Sequence, residues 1–195
     1  EEAKRIEALA EQLLDLARPR QYNLVESDVH AIIEQTVTLL QPQTAEAGAK
    51  IITHLDAENP QAVVDKDAIR QVLINLARNA AEALQGKPAG QRRIEIRTSG
   101  TEDRLEIDVE DNGPGIPPTI RSKIFTAFAS AEKQAGLGLG LAVSKEIVAV
   151  HGGEITAIDS ASGGTLIKVT LPRRAGVAVF VPFPPKSDDL ADRSA

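Results

Sequence analysis

The chain has 195 residues, of which 42% are hydrophobic and 26% charged, a composition typical of a globular domain that can bury a core. With 22 Lys and Arg against 28 Asp and Glu, its formal net charge is −6, and only 3% of its residues are aromatic. These values argue against a nucleic-acid surface, which needs clustered cations and stacking rings. The absence of cysteine excludes a disulfide scaffold and a cysteine-ligated metal. No apolar run is ~18 residues long, which is the length that a membrane-spanning helix needs, so the sequence predicts no membrane contact.

The first predicted element is an amphipathic helix over residues 3–17, which ends before Pro19. Apolar residues recur in it at steps of three and four: Ile6, Leu9, Leu13 and Leu16. This spacing is typical of the packing seam of a helical bundle. We therefore predict that residues 1–18 are the end of a bundle helix, with a helix lying on its own domain as the alternative.

Residues 20–172 are predicted to form one α/β domain, and residues 173–195 a tail without periodicity. The predicted elements are an extended piece at 21–26, a helix capped by Ser27 that runs to about residue 47, strands at 50–56 and 62–65, a helix at 66–85, strands at 92–99 and 104–111 joined by a hairpin, a helix at 139–151, and strands at 154–159 and 165–171.

Two asparagines, Asn75 and Asn79, lie one turn apart on the predicted helix 66–85. At about 100° per residue, both fall beside its apolar stripe, at the margin of the core. A buried amide without a partner costs ~1–3 kcal/mol. These amides therefore either bond to neighbouring backbone or bind a ligand, and an amide oxygen suits a hard cation such as Mg²⁺.

The segment 109–117 is a strand that ends in a carboxylate and is followed by two closely spaced glycines. Asp111 would lie at the mouth of a sheet, where it can accept a hydrogen bond from an amino group such as that of adenine. Gly113 and Gly115 let the backbone pass close to a flat ring. The same pattern also occurs in ordinary hairpins, so that alternative stays open.

Glycine occupies every second position of the segment 136–140, directly before the predicted helix 139–151. Glycines at a helix amino terminus present free backbone N–H groups and the positive end of the helix dipole to an anion. The spacing fits neither the Rossmann nor the Walker pattern. It predicts a phosphate cradle, with a flexible hinge as the alternative.

Five segments, taken in order, resemble the sensor histidine kinases of the GHKL superfamily. They are residues 75–80 (the N box), 111–115 (the first glycine box), 124–128 (the F box), 136–140 (the second glycine box) and 163–172 (the end of the catalytic domain). Within that family the chain resembles the nitrogen-regulatory type, because Asn79 is followed by Ala80 and Ala81 rather than by a Lys-Tyr or Lys-Phe pair.

The resemblance implies an α/β sandwich of the Bergerat type, a mixed, mostly antiparallel sheet covered on one face by three helices, with ATP under a lid at 126–137. It implies Asn75 and Asn79 as catalytic residues, with the side-chain oxygen of Asn79 on Mg²⁺, and Asp111 as the group that reads adenine. The other implied nucleotide-binding residues are Gly113, Gly115 and Ile116 around the base, Thr165 through its hydroxyl, Phe128 of the F box, Lys133 in the lid, and Gly136, Leu137, Gly138, Leu139, Gly140 and Leu141 at the phosphates.

Members of that family transfer the γ-phosphoryl group of ATP to a histidine in a His-Glu/Asp-x-x-x-Pro motif on a helical hairpin. His30, His54 and His151 lie in no such motif. The resemblance therefore implies a cytoplasmic catalytic domain whose partners are a phosphoacceptor hairpin of its own or an adjacent subunit and a response regulator, with a homodimer formed through the hairpin. For His151, before two glycines, we expect a helix-capping role.

Two other functions remain open. One is a related ATPase, as in chaperones or mismatch-repair proteins, where a Glu four residues before the metal-binding Asn orients the attacking water. Here that position is Asn75, which cannot act as a base. The other is a serine kinase or a nucleotide-sensing module that shares the same pocket. A phosphorylation hairpin would distinguish the histidine kinase from both.

Overall fold

The computed structural model describes residues 21–128 and 138–174. Their elements are, in chain order, β1 (Val25–Asp28), α1 (Val29–Glu46), β2 (Ala49–Leu55), β3 (Gln61–Val64), α2 (Lys66–Ala83), β4 (Arg92–Gly100), β5 (Arg104–Asp111), α3 (Pro118–Arg121), α4 (Gly140–Val150), β6 (Glu154–Asp159) and β7 (Thr165–Pro172). The predicted helix at 3–17 lies outside the described residues. No helix within 21–128 and 138–174 is both long and apolar enough to cross a membrane.

Five strands form one mixed sheet in the order β2-β4-β5-β7-β6. Strand β2 runs parallel to β4, and the other neighbouring pairs are antiparallel. A separate antiparallel pair joins β1 to β3. The predicted mixed, mostly antiparallel sheet is confirmed, whereas the identity of its parallel pair was not predicted, because a single strand pattern does not specify its neighbour.

The core lies between one face of this sheet and the helices α1, α2 and α4. Side chains alternate along β5, where Leu105, Ile107 and Val109 are buried and the residues between them carry carboxylates on the opposite face. This alternation is the period-two pattern of a sheet with one face covered. The predicted layer of three helices on one face is confirmed.

The amino-terminal cap of α1 is Asp28, so the prediction of Ser27 as the cap is wrong. The carboxylate of Asp28 accepts from the Ala31 N–H at 3.1 Å, whereas Ser27 lies within β1 and its hydroxyl donates to the Val25 carbonyl at 2.9 Å. Both residues are good caps, and the pairing of β1 with β3 extends the strand two residues further than the sequence pattern predicts.

A buried histidine joins the start of α2 to the end of α4. His151 is the carboxyl-terminal cap residue of α4, as predicted, and its Nδ1–H donates to the Ile147 carbonyl at 2.6 Å. Its Nε2 is therefore the unprotonated nitrogen, and it accepts from the Asp65 N–H at 2.9 Å. The Asp65 carboxylate in turn caps α2 by accepting from the N–H groups of Asp67 and Ala68.

This contact predicts a loss of stability in mild acid. Burial lowers the pKa of His151, although its hydrogen bond to Ile147 and the charge of Asp65 act in the opposite direction. The unfolded chain therefore binds more protons than the folded chain as the pH falls below about 6.5, and the free energy of unfolding falls with it. Thermal melts between about pH 7.5 and about pH 5.5 should show a smaller pH dependence for His151→Gln than for the unmodified chain. Equal pH dependence in the two proteins would contradict this.

The residue Arg173, the first of the predicted tail, is still bonded to the domain. Its N–H donates to the Asp103 carbonyl at 2.9 Å, and its guanidinium donates to the Thr101 carbonyl at 2.7 Å and to that of Gln61 at 3.1 Å. The guanidinium holds the β4–β5 hairpin against β3. Residues 175–195 lie outside the described residues.

Candidate functional site

Asn75, in the middle of α2, joins that helix to the start of α4. Its Nδ2 donates to the Gly140 carbonyl at 3.1 Å and to the Ser144 Oγ at 3.4 Å. The Ser144 hydroxyl also donates to the Gly140 carbonyl, at 2.8 Å. The two segments resembling the N box and the second glycine box are thus fixed to each other. This contact gives Asn75 a positioning role, and its catalytic role stays a prediction.

Asn79 lies one turn further along α2 and has an unsatisfied polar atom. The residue is half-buried, and its Nδ2 is buried without a hydrogen-bond partner among the described residues. Such an atom costs ~1–3 kcal/mol. A 180° rotation of the amide places its oxygen at the same point. The side chain therefore fits the role of an oxygen ligand for Mg²⁺.

The described residues contain no group of three His, Cys, Asp or Glu side chains arranged to hold a metal ion. A magnesium ion at Asn79 would then take its remaining ligands from water and from phosphate oxygens, as this cation commonly does beside nucleotides.

Asp111 ends β5 as a buried carboxylate with two hydrogen bonds from the protein backbone. Its Oδ1 accepts from the Gly113 N–H at 2.7 Å and from the Thr165 N–H at 3.3 Å. Burial raises the pKa of Asp111, and these hydrogen bonds oppose the rise. A carboxylate has about four acceptor positions, so positions remain for a ligand amino group.

Glycines surround this carboxylate because side chains would collide with it. A Cβ on Gly113 would lie 2.8 Å from the Asp111 Oδ1, and one on Gly164 would lie 2.0 Å from the Asp111 carbonyl oxygen. Gly115 has a φ of +79° and lies against the β6–β7 turn, at the Gly163 and Gly164 carbonyls. The segment that resembles the first glycine box therefore packs directly on the turn before Thr165.

At the predicted phosphate end, backbone groups form the amino terminus of α4. This helix begins at Gly140 with no side-chain cap among the described residues and no acidic residue in its first turn. Gly138 adopts a φ of +66°, the Leu139 side chain is buried, and Leu141 packs against the core. Leucines 139 and 141 could thus contact phosphate only through their N–H groups. Lys133, Gly136 and Leu137 lie outside the described residues.

The segment that resembles the F box has an apolar anchor and an exposed end. Ile124 is buried and Phe125 packs on the core, whereas Phe128 is 65% exposed with a φ of +65°. Ile116 is half-buried, and its carbonyl accepts from the Arg121 guanidinium at 3.3 Å. Phe128 is therefore open to solvent, and its contact with a nucleotide stays a prediction, as does that of Ile116. Of the predicted lid at 126–137, only residues 126–128 are described.

Residues 64–175 match the family described as histidine kinase-, DNA gyrase B- and HSP90-like ATPase. The chain belongs to this family. Among curated relatives, the sensory histidine kinase/phosphatase NtrB of Escherichia coli O157:H7 is 35% identical over 182 residues, which cover 89% of this chain and 50% of NtrB. The signal transduction histidine-protein kinase AtoS of E. coli K12 is 33% identical over 168 residues, which cover 86% of this chain and 27% of AtoS.

Among solved structures, the catalytic domain of the histidine kinase ThkA has a TM-score of 0.70 at 27% identity, over 78% of this chain and 97% of that domain. ThkA in complex with the response regulator protein TrrA has a TM-score of 0.73 at 25% identity, over 88% of this chain and 48% of that one. This chain therefore has the ATP-binding catalytic domain of the two-component sensor histidine kinases. It spans between about a quarter and a half of the length of the two curated relatives.

The contacts of the β6–β7 turn with Glu110 and Asp111 were not predicted from the sequence. Ser160 and Ser162 bond to Glu110, the residue before Asp111, and Gly164 lies on the Asp111 backbone. The paired glycines 163 and 164 directly before a strand were the available signal. Glu110 had no signal, because its partners are 50 and 52 residues away.

The unsatisfied amide of Asn79 predicts a metal-dependent loss of affinity. Replacing Asn79 with Ala removes an oxygen ligand, so the affinity for ADP should fall by about tenfold with Mg²⁺ and by much less with EDTA. Calorimetry in both conditions measures this difference. The exposed Asn59, replaced with Ala, is the matched control and should leave the affinity unchanged in both. An Asn79→Ala chain with the unmodified chain's affinity in both conditions would rule out the metal role.

Proposed function

We propose that this chain binds Mg²⁺ and ATP and donates the γ-phosphoryl group to a histidine on a helical hairpin outside this sequence. The observation that carries the choice of a kinase over a hydrolase is the position of Asn75. Asn75 lies four residues before Asn79, at the position where the ATPases of the family's other branches need a base. Its amide donates to the Gly140 carbonyl and to the Ser144 hydroxyl. An amide has no basic pKa in the working range and cannot deprotonate a water molecule.

In this proposal, adenine lies at Asp111. The remaining acceptor position of the carboxylate takes the exocyclic amino group, and Gly113 and Gly115 leave room for the flat ring. Guanine has a carbonyl at the corresponding place, which would meet a negative acceptor. The site therefore selects adenine over guanine by hydrogen-bond complementarity.

The phosphates lie between α2 and the amino terminus of α4, which Asn75 holds together. No side chain of the described residues caps the backbone N–H groups that begin α4, and these groups can donate to phosphate oxygens. A magnesium ion on Asn79 would neutralise phosphate charge when bound. The chain supplies positioning and charge stabilisation, and phosphoryl transfer requires little more from it than an acceptor in line with the γ-phosphate.

The partners follow from this chemistry. We infer a phosphoacceptor hairpin from the same or an adjacent subunit, homodimerisation through that hairpin, and a response regulator that takes the phosphoryl group next, as the complex of ThkA with TrrA supports. Because the reaction uses ATP, we infer that the domain lies in the cytoplasm. Residues 1–18, which are predicted to be the end of a bundle helix, would then be the end of the second helix of this hairpin.

Mixing this chain with a separately made hairpin that carries the phosphoacceptor histidine tests the proposal. With radiolabelled ATP, we expect acid-labile label on the hairpin, no label on the chain itself, and little phosphate release, because the acceptor is then supplied in trans. A hairpin with its histidine replaced by Ala is the control and should stay unlabelled. Fast phosphate release without any hairpin would instead support the ATPase alternative.

A further inference from the structure

The β6–β7 turn is held by two adjacent residues of β5 that lie on opposite faces of the sheet. Asp111 bonds to Thr165 from the side of the core. Glu110, on the outer face, bonds to the turn through the hydroxyls of Ser160 and Ser162. The turn is thus held at both of its sides by consecutive carboxylates.

The two oxygens of the Glu110 carboxylate accept hydrogen bonds from different partners. Its Oε1 accepts from the Ser160 hydroxyl and, at 3.0 Å, from the Ser162 hydroxyl. The Ser160 Oγ also accepts from the Ser162 N–H at 2.9 Å, so the hydroxyls and the turn backbone form one cluster. The Glu110 Oε2 accepts from Arg97, which also pairs with Glu95, a residue of the same strand β4 that lies directly opposite Glu110.

This cluster is well enclosed. Glu110 is 14% exposed at its side chain and Ser160 is buried, whereas Arg97 is 40% exposed. Burial raises the pKa of Glu110, but its hydrogen bonds from Ser160, Arg97 and Ser162 outweigh burial and leave the pKa below its ordinary value. The group is therefore an ionised acceptor near neutral pH, and charge-assisted hydrogen bonds of this kind are the stronger ones.

The turn has no freedom to move without disturbing Asp111. Its backbone closes through the Ser160 N–H on the Gly164 carbonyl at 2.9 Å, and the Gly164 Cα lies against the Asp111 backbone with no room for a Cβ. Thr165 is the next residue, and its N–H donates to the Asp111 carboxylate. A shift of Ser160 and Ser162 therefore moves the donors that orient Asp111.

We propose that Glu110, acting through Ser160 and Ser162, is a positioning residue for the adenine end of the nucleotide site. It fixes the β6–β7 turn so that Thr165 orients the Asp111 carboxylate toward the ligand. This inference rests on the proposed function, because it assigns a second residue to the same nucleotide site. Glu110 contacts no ligand itself.

Three variants of the 195-residue chain separate the turn contact from the ion pair. In Glu110→Ala both are lost, and ADP affinity, measured by calorimetry with Mg²⁺, should fall about three- to tenfold. In Glu110→Gln the amide oxygen still accepts from Ser160 and Ser162 while the charge is lost, so affinity should return to within about twofold of the unmodified chain. In Arg97→Ala the contact with the turn stays and the ion pairs of Arg97 with Glu110 and Glu95 are lost, so affinity should stay within about twofold while the melting temperature falls.

The double variant Ser160→Ala/Ser162→Ala tests the same contact from the turn and also serves if Glu110→Ala does not fold. It should weaken ADP binding as much as Glu110→Ala does, and combining all three changes should add nothing further, because they remove one interaction. Unchanged ADP affinity in the serine double variant, or equal weakening by Arg97→Ala and Glu110→Ala, would overturn the inference. Failure of the unmodified chain to bind ADP would instead reject the proposed function.

Discussion

Replacing Asp111 with Asn is expected to weaken ADP binding by roughly ten- to a hundredfold, equivalent to ~1.5–3 kcal/mol. The carboxylate accepts from the N–H groups of Gly113 and Thr165 and has acceptor positions left for a ligand. Asparagine has only one oxygen. Its NH₂ group must therefore face either the protein N–H donors or the amino group of adenine, and either arrangement sets donor against donor.

Calorimetry with ADP and GDP on the unmodified and Asp111→Asn chains measures this effect. The unmodified chain should prefer ADP, and the variant should lose most of that preference. Asp108→Asn is the matched control, because Asp108 lies on the same strand but on the outer face, where it pairs with Lys168. It should keep ADP affinity and selectivity. If GDP binds the unmodified chain as tightly as ADP does, Asp111 does not read adenine.

Most elements of the fold could be predicted because their patterns are local. The apolar alternation of β5 and the three- and four-residue spacing of α2 record which side of each element faces the core. The cap of α1 could not be decided this way, because Ser27 and Asp28 are both suitable and a long-range pairing of β1 with β3 selects between them. Strand partners and cap positions depend on contacts that no local pattern contains.

The candidate site likewise contains residues that could be placed from the sequence and contacts that could not. Residues that resemble a family motif could be placed from the sequence. The spacing of apolar residues predicts Asn79 at the margin of a helix, and Asp111 follows a predicted strand and so lies at the mouth of the sheet. The hydrogen bond from Asn75 to Gly140 joins residues 65 apart, and the contact of Glu110 with Ser160 joins residues 50 apart. Those partners are visible only once the strands are paired, which is why their positioning roles could not be predicted.

Replacing Gly164 with Ala is expected to have the second large effect on nucleotide binding, because Gly164 lies against Asp111. In Gly164→Ala, the new Cβ would lie 2.0 Å from the Asp111 carbonyl oxygen and 2.7 Å from its Oδ1. Those atoms belong to a paired strand and a fixed carboxylate, so β5 and the turn must separate. Overpacking of this kind costs ~1–3 kcal/mol of stability. It should also weaken ADP binding by about tenfold or more, because Thr165 then moves away from Asp111.

The neighbouring Gly163 provides a matched control for this effect. It has a φ of +91°, and a Cβ placed on it would meet nothing within 4 Å. Gly163→Ala should therefore lower the melting temperature through backbone strain of ~1–2 kcal/mol while ADP affinity stays unchanged. Melting curves and calorimetry on both variants separate the two causes. A loss of ADP affinity in Gly163→Ala equal to that in Gly164→Ala would show that backbone strain in the turn, rather than its close approach to Asp111, governs the nucleotide site.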